Sequence, residues 1–122
     1  MANDFKRYTK ANVTTSTGTS SDAVYTVPST GSTAMETVVI GIYLANSGTT
    51  GITADVFLDA YNGASYDIYV VKNATVPAGS TLEVISGGKL VVQGNGTVND
   101  IVRVSCGTAS SLDATVSVLE DV

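Results

Sequence analysis

The stretch ITADVFLDAYNGASYDIYVV, residues 52–71, decides the fold. Its first half alternates along an extended chain between an apolar face of Ile52, Ala54, Val56 and Leu58 and a mainly polar face of Thr53, Asp55, Phe57 and Asp59. The pair Asn62-Gly63 then favours a type I′ turn, because both central residues of that turn need a positive φ. An apolar run follows the pair, so the stretch predicts a β-hairpin with one face in the core.

The same pattern continues along the rest of the chain. Further short β-branched runs predict strands at residues 24–27, 37–46, 82–85, 89–92, 101–105 and 114–119. Residues 37–46 are apolar on both faces, which is typical of a central strand that is covered on each side or lies at a subunit contact. Gly87-Gly88 predicts a second hairpin between the strands that flank it. With turns recurring about every 8–12 residues, the sequence predicts a single all-β domain, an antiparallel, jelly-roll-like β-sandwich of about eight strands.

The composition argues against catalysis and against bound groups. Only 14% of the 122 residues are charged, against about 25% in a typical domain, and the chain has no His, no Trp and one Cys. Without His, the commonest general base and metal ligand is missing, and Cys106 alone cannot form an internal disulfide. Calcium could use Asp55, Asp59 or Asp100, but the spacing of a calcium-binding loop is absent. We therefore expect no enzymatic activity, no catalytic or metal-binding residue and no cofactor, and a buried, structural Cys106.

Charge also limits the choice of partners. Six basic and eleven acidic residues give a net charge of -5, which disfavours binding to nucleic acid and to anionic lipid. The opening MANDFKRYTK lacks the apolar run of a signal peptide. No stretch approaches the roughly 18 apolar residues of a membrane span. We expect a soluble chain made in the cytoplasm, with no membrane partner.

The first residues differ in composition from the rest of the chain. Residues 1–21 are predicted to form an N-terminal arm and a Ser/Thr-rich linker, and residues 22–122 the β-sandwich domain. Three of the six basic residues and two aromatic residues lie in the first ten positions, a mixture enriched at protein interfaces and also compatible with a solvated tail. We predict that this arm, outside the β-sandwich, binds an assembly partner through Phe5, Lys6, Arg7, Tyr8 and Lys10. Phe57, on the polar face of its strand, is a further possible surface contact.

Five segments of the chain resemble a family of small virion structural proteins of tailed bacteriophages, notably marine and cyanobacterial phages. These segments are NDFKRY at residues 3–8, VYTVP at 24–28, VIGIYLAN at 39–46, IYVVKNATVPAGS at 68–80 and VSVLE at 116–120. They are strand and turn patterns and contain no catalytic signature. The chain departs from the family pattern in the Ser/Thr insertion before Val24 and in residues 94–100, where a shorter acidic turn is more usual.

The resemblance implies a β-sandwich on the virion, on the head surface, acting as a capsid decoration or cement protein. The expected partners are the major capsid protein or other virion proteins, and further copies of the chain in a homotrimer. A tail, neck or fibre-base component of the particle is an alternative. A host-surface carbohydrate-binding module is a third hypothesis, against which the missing Trp counts.

Overall fold

The computed structural model describes residues 3–15, 22–28, 36–60, 68–85, 88–94 and 97–121. The regular elements in these ranges are nine β-strands. Their bounds are β1 Asn3–Lys10, β2 Ala23–Thr26, β3 Glu36–Asn46, β4 Ile52–Asp59, β5 Ile68–Val76, β6 Thr81–Glu83, β7 Leu90–Gln93, β8 Ile101–Cys106 and β9 Leu112–Asp121. Among the residues described, no helix is long and apolar enough to cross a membrane.

The strands form two antiparallel sheets. Sheet A has the order β1-β9-β3-β6, with β7 also paired to β3, and sheet B has the order β2-β8-β4-β5. Early strands pair with late ones: β1 with β9, β2 with β8, β3 with β6 and β7, and β4 with β5. The chain is thus a long antiparallel ribbon wrapped into two sheets, which is the winding of a jelly roll. This arrangement confirms the all-β sandwich with jelly-roll connections.

The predicted strands all occur, and the arm supplies one more. The eight sequence-predicted strands correspond to β2 through β9, while the segment expected outside the β-sandwich is strand β1 at one edge of sheet A. It pairs with β9 without interruption from Asn3↔Asp121 to Lys10↔Ala114. The expected placement of the arm is therefore corrected, although it is an extended segment as predicted. The predicted domain boundary at residue 21 lies outside the described residues.

One predicted hairpin is confirmed and the other is wrong. Strands β4 and β5 pair from Ile52↔Val76 to Leu58↔Ile68, as residues 52–71 predict, and the Asn62-Gly63 turn lies outside the described residues. Strands β6 and β7 do not pair with each other. Instead, β6 pairs with one end of β3 and β7 with the other. Each is short, and the eleven-residue β3 is long enough to take both end to end.

The core lies between the sheets and follows the alternation of the strands. In β9, every second residue from Leu112 to Glu120 is buried. In β3, a register shift between Val39 and Gly41 changes which residues face inward. The buried apolar residues of this core cluster are Val13, Tyr25, Val27, Val39, Ile42, Leu44, Ile52, Ala54, Val56, Val76, Val92, Val102, Val104, Cys106, Leu112, Ala114, Val116 and Val118. Inward faces of both sheets contribute, as expected for a sandwich.

Candidate functional site

The alternation of β1 divides the predicted arm residues between two faces. Lys6, Tyr8 and Lys10 pair with Val118, Val116 and Ala114 of β9, which are buried, so these three side chains lie on the inner side of sheet A. Phe5 and Arg7 pair with Leu119 and Ser117 and lie on the outer side. The five predicted residues are therefore divided between an inner and an outer face of sheet A.

The inner site is built around the carboxylate of Glu120, which is 1% exposed. The Tyr8 hydroxyl donates a hydrogen bond to Glu120 Oε2 at 2.9 Å, and the Tyr25 hydroxyl donates to the same oxygen at 2.8 Å. Lys6 Nζ lies 3.1 Å from Glu120 Oε1. A buried carboxylate is costly unless it is paired and hydrogen-bonded, and β1 supplies two of the three partners that Glu120 has among the described residues.

These contacts determine the protonation of the inner site. Burial alone would raise the pKa of the Glu120 carboxyl, but hydrogen bonds from Tyr25, Tyr8 and Lys6 outweigh it, and the pKa is lowered from its ordinary value. The hydrogen bond to Glu120 raises the pKa of Lys6. Burial is the main reason that the pKa of Tyr25 is raised strongly, and it also raises the pKa of Tyr8. At neutral pH the site therefore holds a carboxylate, an ammonium and two neutral phenols.

The two tyrosines join four strands at this point. The rings of Tyr8 and Tyr25 are tilted against each other with centroids 4.7 Å apart. The Tyr25 hydroxyl also lies 2.9 Å from Thr37 Oγ1 on β3. Since Tyr8 is on β1 and Glu120 on β9, the inner site links β1, β9 and β3 of sheet A to β2 of sheet B. Sequence reasoning missed Glu120, Tyr25 and Thr37 as members of this site, although Glu120 follows Val116 and Val118 at the inward spacing of two.

The outer face of sheet A carries a row of four apolar side chains, one from each of four neighbouring strands. Phe5 pairs with Leu119, Leu119 with Val38, and Val38 with Val91. Residues directly opposite each other in antiparallel strands point to the same face. Phe5 is 77% exposed and Val91 58% exposed. We call Phe5, Leu119, Val38 and Val91 the apolar row.

Two further apolar residues of β3 extend this face. Ile40 and Tyr43 are both exposed. Ile40 lies at the register shift between Val39 and Gly41, and Tyr43 lies beyond it. The Tyr43 ring lies across Gly41, where an added Cβ would come within 2.9 Å of it. The absence of a side chain at Gly41 thus lets Tyr43 lie close to the sheet. Strand β3 is a central strand of sheet A, as predicted, with one side in the core and the other on this outer face.

The structure corrects the prediction for Phe57. Its side chain is 1% exposed, so it is not available as a surface contact. Its ring packs against Tyr69 with centroids 5.7 Å apart, and its strand partners are Tyr69 and Arg103. Lys72 Nζ lies 5.1 Å from the centre of the Tyr69 ring. Phe57 is therefore part of a small packed cluster that involves β4, β5 and β8.

A second cluster of charged side chains is formed by Arg103 with Asp22 and Asp59. Its Nη1 lies 2.6 Å from Asp22 Oδ1, and its Nη2 lies 3.0 Å from Asp59 Oδ2. Burial alone would lower the pKa of Arg103, but the hydrogen bonds that Arg103 donates to the Asp22 and Asp59 carboxylates outweigh this effect, so the pKa is raised. The Asp22 side chain is fully buried. This cluster joins the start of β2 to β8 and β4 in sheet B.

The acids considered for calcium are not brought together. Asp55 accepts a hydrogen bond from the Asn73 amide, Asp59 contacts Arg103, and Asp100 accepts one from the Gln93 amide. No group of three or more metal-ligating side chains occurs within the described ranges.

Cys106 is buried, as predicted. Its thiol donates to the carbonyl oxygens of Val13 and Thr108. Burial raises its pKa, which keeps the thiol protonated at neutral pH.

The fold and these surfaces define a small jelly-roll protein with an apolar outer face on one sheet and a basic edge strand. Comparison with family models, with curated proteins and with solved structures gave no match.

Proposed function

We propose that this protein is a structural component of a bacteriophage virion, a decoration protein that binds coat subunits on the surface of the head. The sequence resemblance to small virion proteins suggests the setting. The observation that carries the binding role is the apolar row on the outer face of sheet A. A row that crosses four strands of a rigid sheet is a preformed surface for a protein partner.

The energetics of this face favour binding. Fully burying one large apolar side chain stabilises a complex by about 1.5–3 kcal/mol, and Phe5 begins 77% exposed. Next to Phe5 on the outer face of β1 is Arg7. Arginine is enriched in interfaces together with aromatic residues. Since only 14% of the residues are charged, few charges need to be desolvated when this face is covered.

In an assembled particle, several copies of the same weak contact together strengthen the attachment of the protein. We propose a homotrimer at a symmetry position of the head, in which each chain presents its apolar row to a neighbouring coat subunit. Simultaneous contacts in one assembly act at high effective concentration, so several weak contacts give stable attachment.

Co-sedimentation with phage heads that lack the protein tests the proposal. We expect Val91→Lys to abolish binding, because it places a charge at the exposed β7 end of the apolar row. Val98→Lys is the matched control, because Val98 is similarly exposed but lies between β7 and β8, outside the row. Equal binding by the two folded variants would contradict the assignment of this face.

Copy number tests the location. A decoration protein is present in on the order of hundreds of copies per particle, whereas a tail, neck or fibre-base component is present in about three to twelve. Quantitative mass spectrometry of purified particles distinguishes these values. The lower number would overturn the decoration role and favour the tail alternative.

A further inference from the structure

We infer that β1 is an exchangeable strand: the edge of β9, with the Glu120 carboxylate at one end, is a docking site for the β1 of a second copy of this chain. In this arrangement residues 3–15 of one copy lie on β9 of the other, in the register that the structure shows within one chain. The inference needs only two copies of the protein, so it does not depend on the proposed location on the virion.

The contacts of residues 3–15 are with residues far away along the chain. The eight pairs with β9 join residues more than 100 positions apart. Beyond β1, the Val13 amide donates to the Leu112 carbonyl and the Asn12 amide to Asp113 Oδ1. Because these contacts do not depend on how the two strands are connected, an identical segment from another copy would make the same ones.

The docking site is chemically selective. Without β1, the buried Glu120 would keep the hydrogen bond from Tyr25 and lose those from Lys6 and Tyr8. Leaving a buried carboxylate with fewer partners is costly. An incoming strand must therefore bring an ammonium and a phenol two residues apart on one face. The β1 strand of a second copy meets this requirement.

Charge complementarity favours the same occupant. Residues 1–10 contain Lys6, Arg7, Lys10 and Asp4, a net charge of +2; since the whole chain carries -5, the remaining residues carry -7. A basic strand approaching the acidic remainder of another copy is attracted at long range.

Simple edge-to-edge pairing of two β1 strands is less favourable. The two longest antiparallel registers that keep equivalent faces together place Lys6 opposite Lys6 or Arg7 opposite Arg7. Like charges directly opposite each other destabilise a strand pair, and charged residues on edge strands prevent such pairing. Exchange avoids this repulsion because β1 again lies beside β9.

The connecting chain limits the geometry. Six residues separate Thr15 from Asp22, and a fully extended chain of this length spans at most about 25 Å. The exchanging copies must therefore lie side by side. Exchange of an identical element is a low-cost route to an oligomer, because it reuses contacts that are already favourable.

Disulfide trapping between two full-length chains tests the exchange. Thr9 on β1 and Thr115 on β9 are directly paired, at a separation that a disulfide can bridge. Thr9→Cys is introduced in one chain and Thr115→Cys in another, both with Cys106→Ser, and the two differently tagged chains are co-expressed and oxidised. We expect a disulfide-linked heterodimer on a non-reducing gel.

The matched control uses the pair Thr53 and Thr75, which are directly opposed on β4 and β5 and belong to a hairpin that is not proposed to exchange. We expect at least about tenfold less heterodimer from Thr53→Cys with Thr75→Cys. Equal yields from the two pairs would show random collision and overturn the inference.

A chain carrying both Thr9→Cys and Thr115→Cys provides the second control. If this chain closes its own disulfide but the separate variants give no heterodimer, exchange does not occur. If it forms neither its own disulfide nor a disulfide-linked oligomer, the register on which the inference rests is wrong. Either result leaves the co-sedimentation test of the proposed function unaffected, and a failure of co-sedimentation leaves strand exchange standing.

Discussion

Lys6 Nζ lies 3.1 Å from Glu120 Oε1, so a side chain of the first strand neutralises a carboxylate that is buried near the end of the last strand. Lys6 itself is 45% exposed, while Glu120 is 1% exposed. The pair therefore combines a solvated cation with an anion that depends on its protein partners. This asymmetry makes the stability of the fold depend on the ionisation of Glu120.

Acid should weaken the fold through Glu120. Because its pKa in the folded protein is lower than the ordinary value of 4.5, its ionised form contributes fully to stability above about pH 4.5 and loses that contribution as the pH falls through the lowered pKa. We expect Glu120→Gln to lower the free energy of unfolding at pH 7 by about 2 kcal/mol and to flatten its decline in acid. Urea unfolding between pH 3 and pH 7 measures both effects. Glu83→Gln on the exposed part of β6 is the control, and an equal flattening there would contradict the assignment.

The hydroxyl of Tyr25 should contribute to stability independently of its ring. Tyr25→Phe keeps the packing against Tyr8 but removes the hydrogen bond to Glu120 and the contact with Thr37. We expect a loss of about 1–3 kcal/mol, measured by thermal or urea unfolding. Tyr43→Phe makes the same chemical change on the outer face of sheet A, where we expect less than about 0.5 kcal/mol. Similar losses in the two variants would argue against the inner site.

Arg103 should be required to hold the buried Asp22 carboxylate. Arg103→Met keeps much of the aliphatic volume but removes the contacts with Asp22 and Asp59, and we expect a loss of about 2–4 kcal/mol in the free energy of unfolding. Arg7→Met on the exposed edge strand provides the comparison, with an expected change of less than about 0.5 kcal/mol. A stable Arg103→Met protein would show that other contacts are sufficient for Asp22.

Phe5 should matter for binding and little for folding. Since Phe5 is 77% exposed, Phe5→Ala is expected to change the free energy of unfolding by less than about 0.5 kcal/mol. Its loss from the apolar row should weaken binding to heads by about 10–30-fold. Titration of labelled protein onto heads gives this value, with Thr9→Ala on the same face of β1 as the control. A fall in stability that matches the fall in binding would point to a folding defect.

Alternation predicted the strands whose inward face is apolar and missed the one whose inward face is polar. In strand β4, apolar residues alternate with mainly polar ones, and its pairing with β5 was predictable. Strand β1 presents Lys6, Tyr8 and Lys10 to the inner side, so no apolar alternation identifies it. Its place depends on Glu120, more than 100 residues away, and a local pattern does not contain that relationship.

The errors at the sites have similar causes. Phe57 lies on the face that alternation predicts, but burial there depends on its packing with Tyr69, which sequence spacing does not show. Gly87-Gly88 indicated a hairpin, yet pairing was determined by the long β3 strand. Of the five residues selected in the arm, Lys6 and Tyr8 contact Glu120 and Phe5 belongs to the apolar row, and their role in binding a partner stays a prediction. Their division between inner and outer faces required the register with β9.

The position of β9 between β1 and β3 also determines when the protein can fold during its synthesis. Neither β1 nor β3 can complete its main pairing in sheet A until β9 has left the ribosome. At about 5–20 residues per second, β1 waits about 5–20 s for a partner more than 100 residues behind it. Such non-local pairing is typical of slowly folding proteins, and charged residues such as the lysines and arginine of β1 oppose pairing of an open strand with other chains.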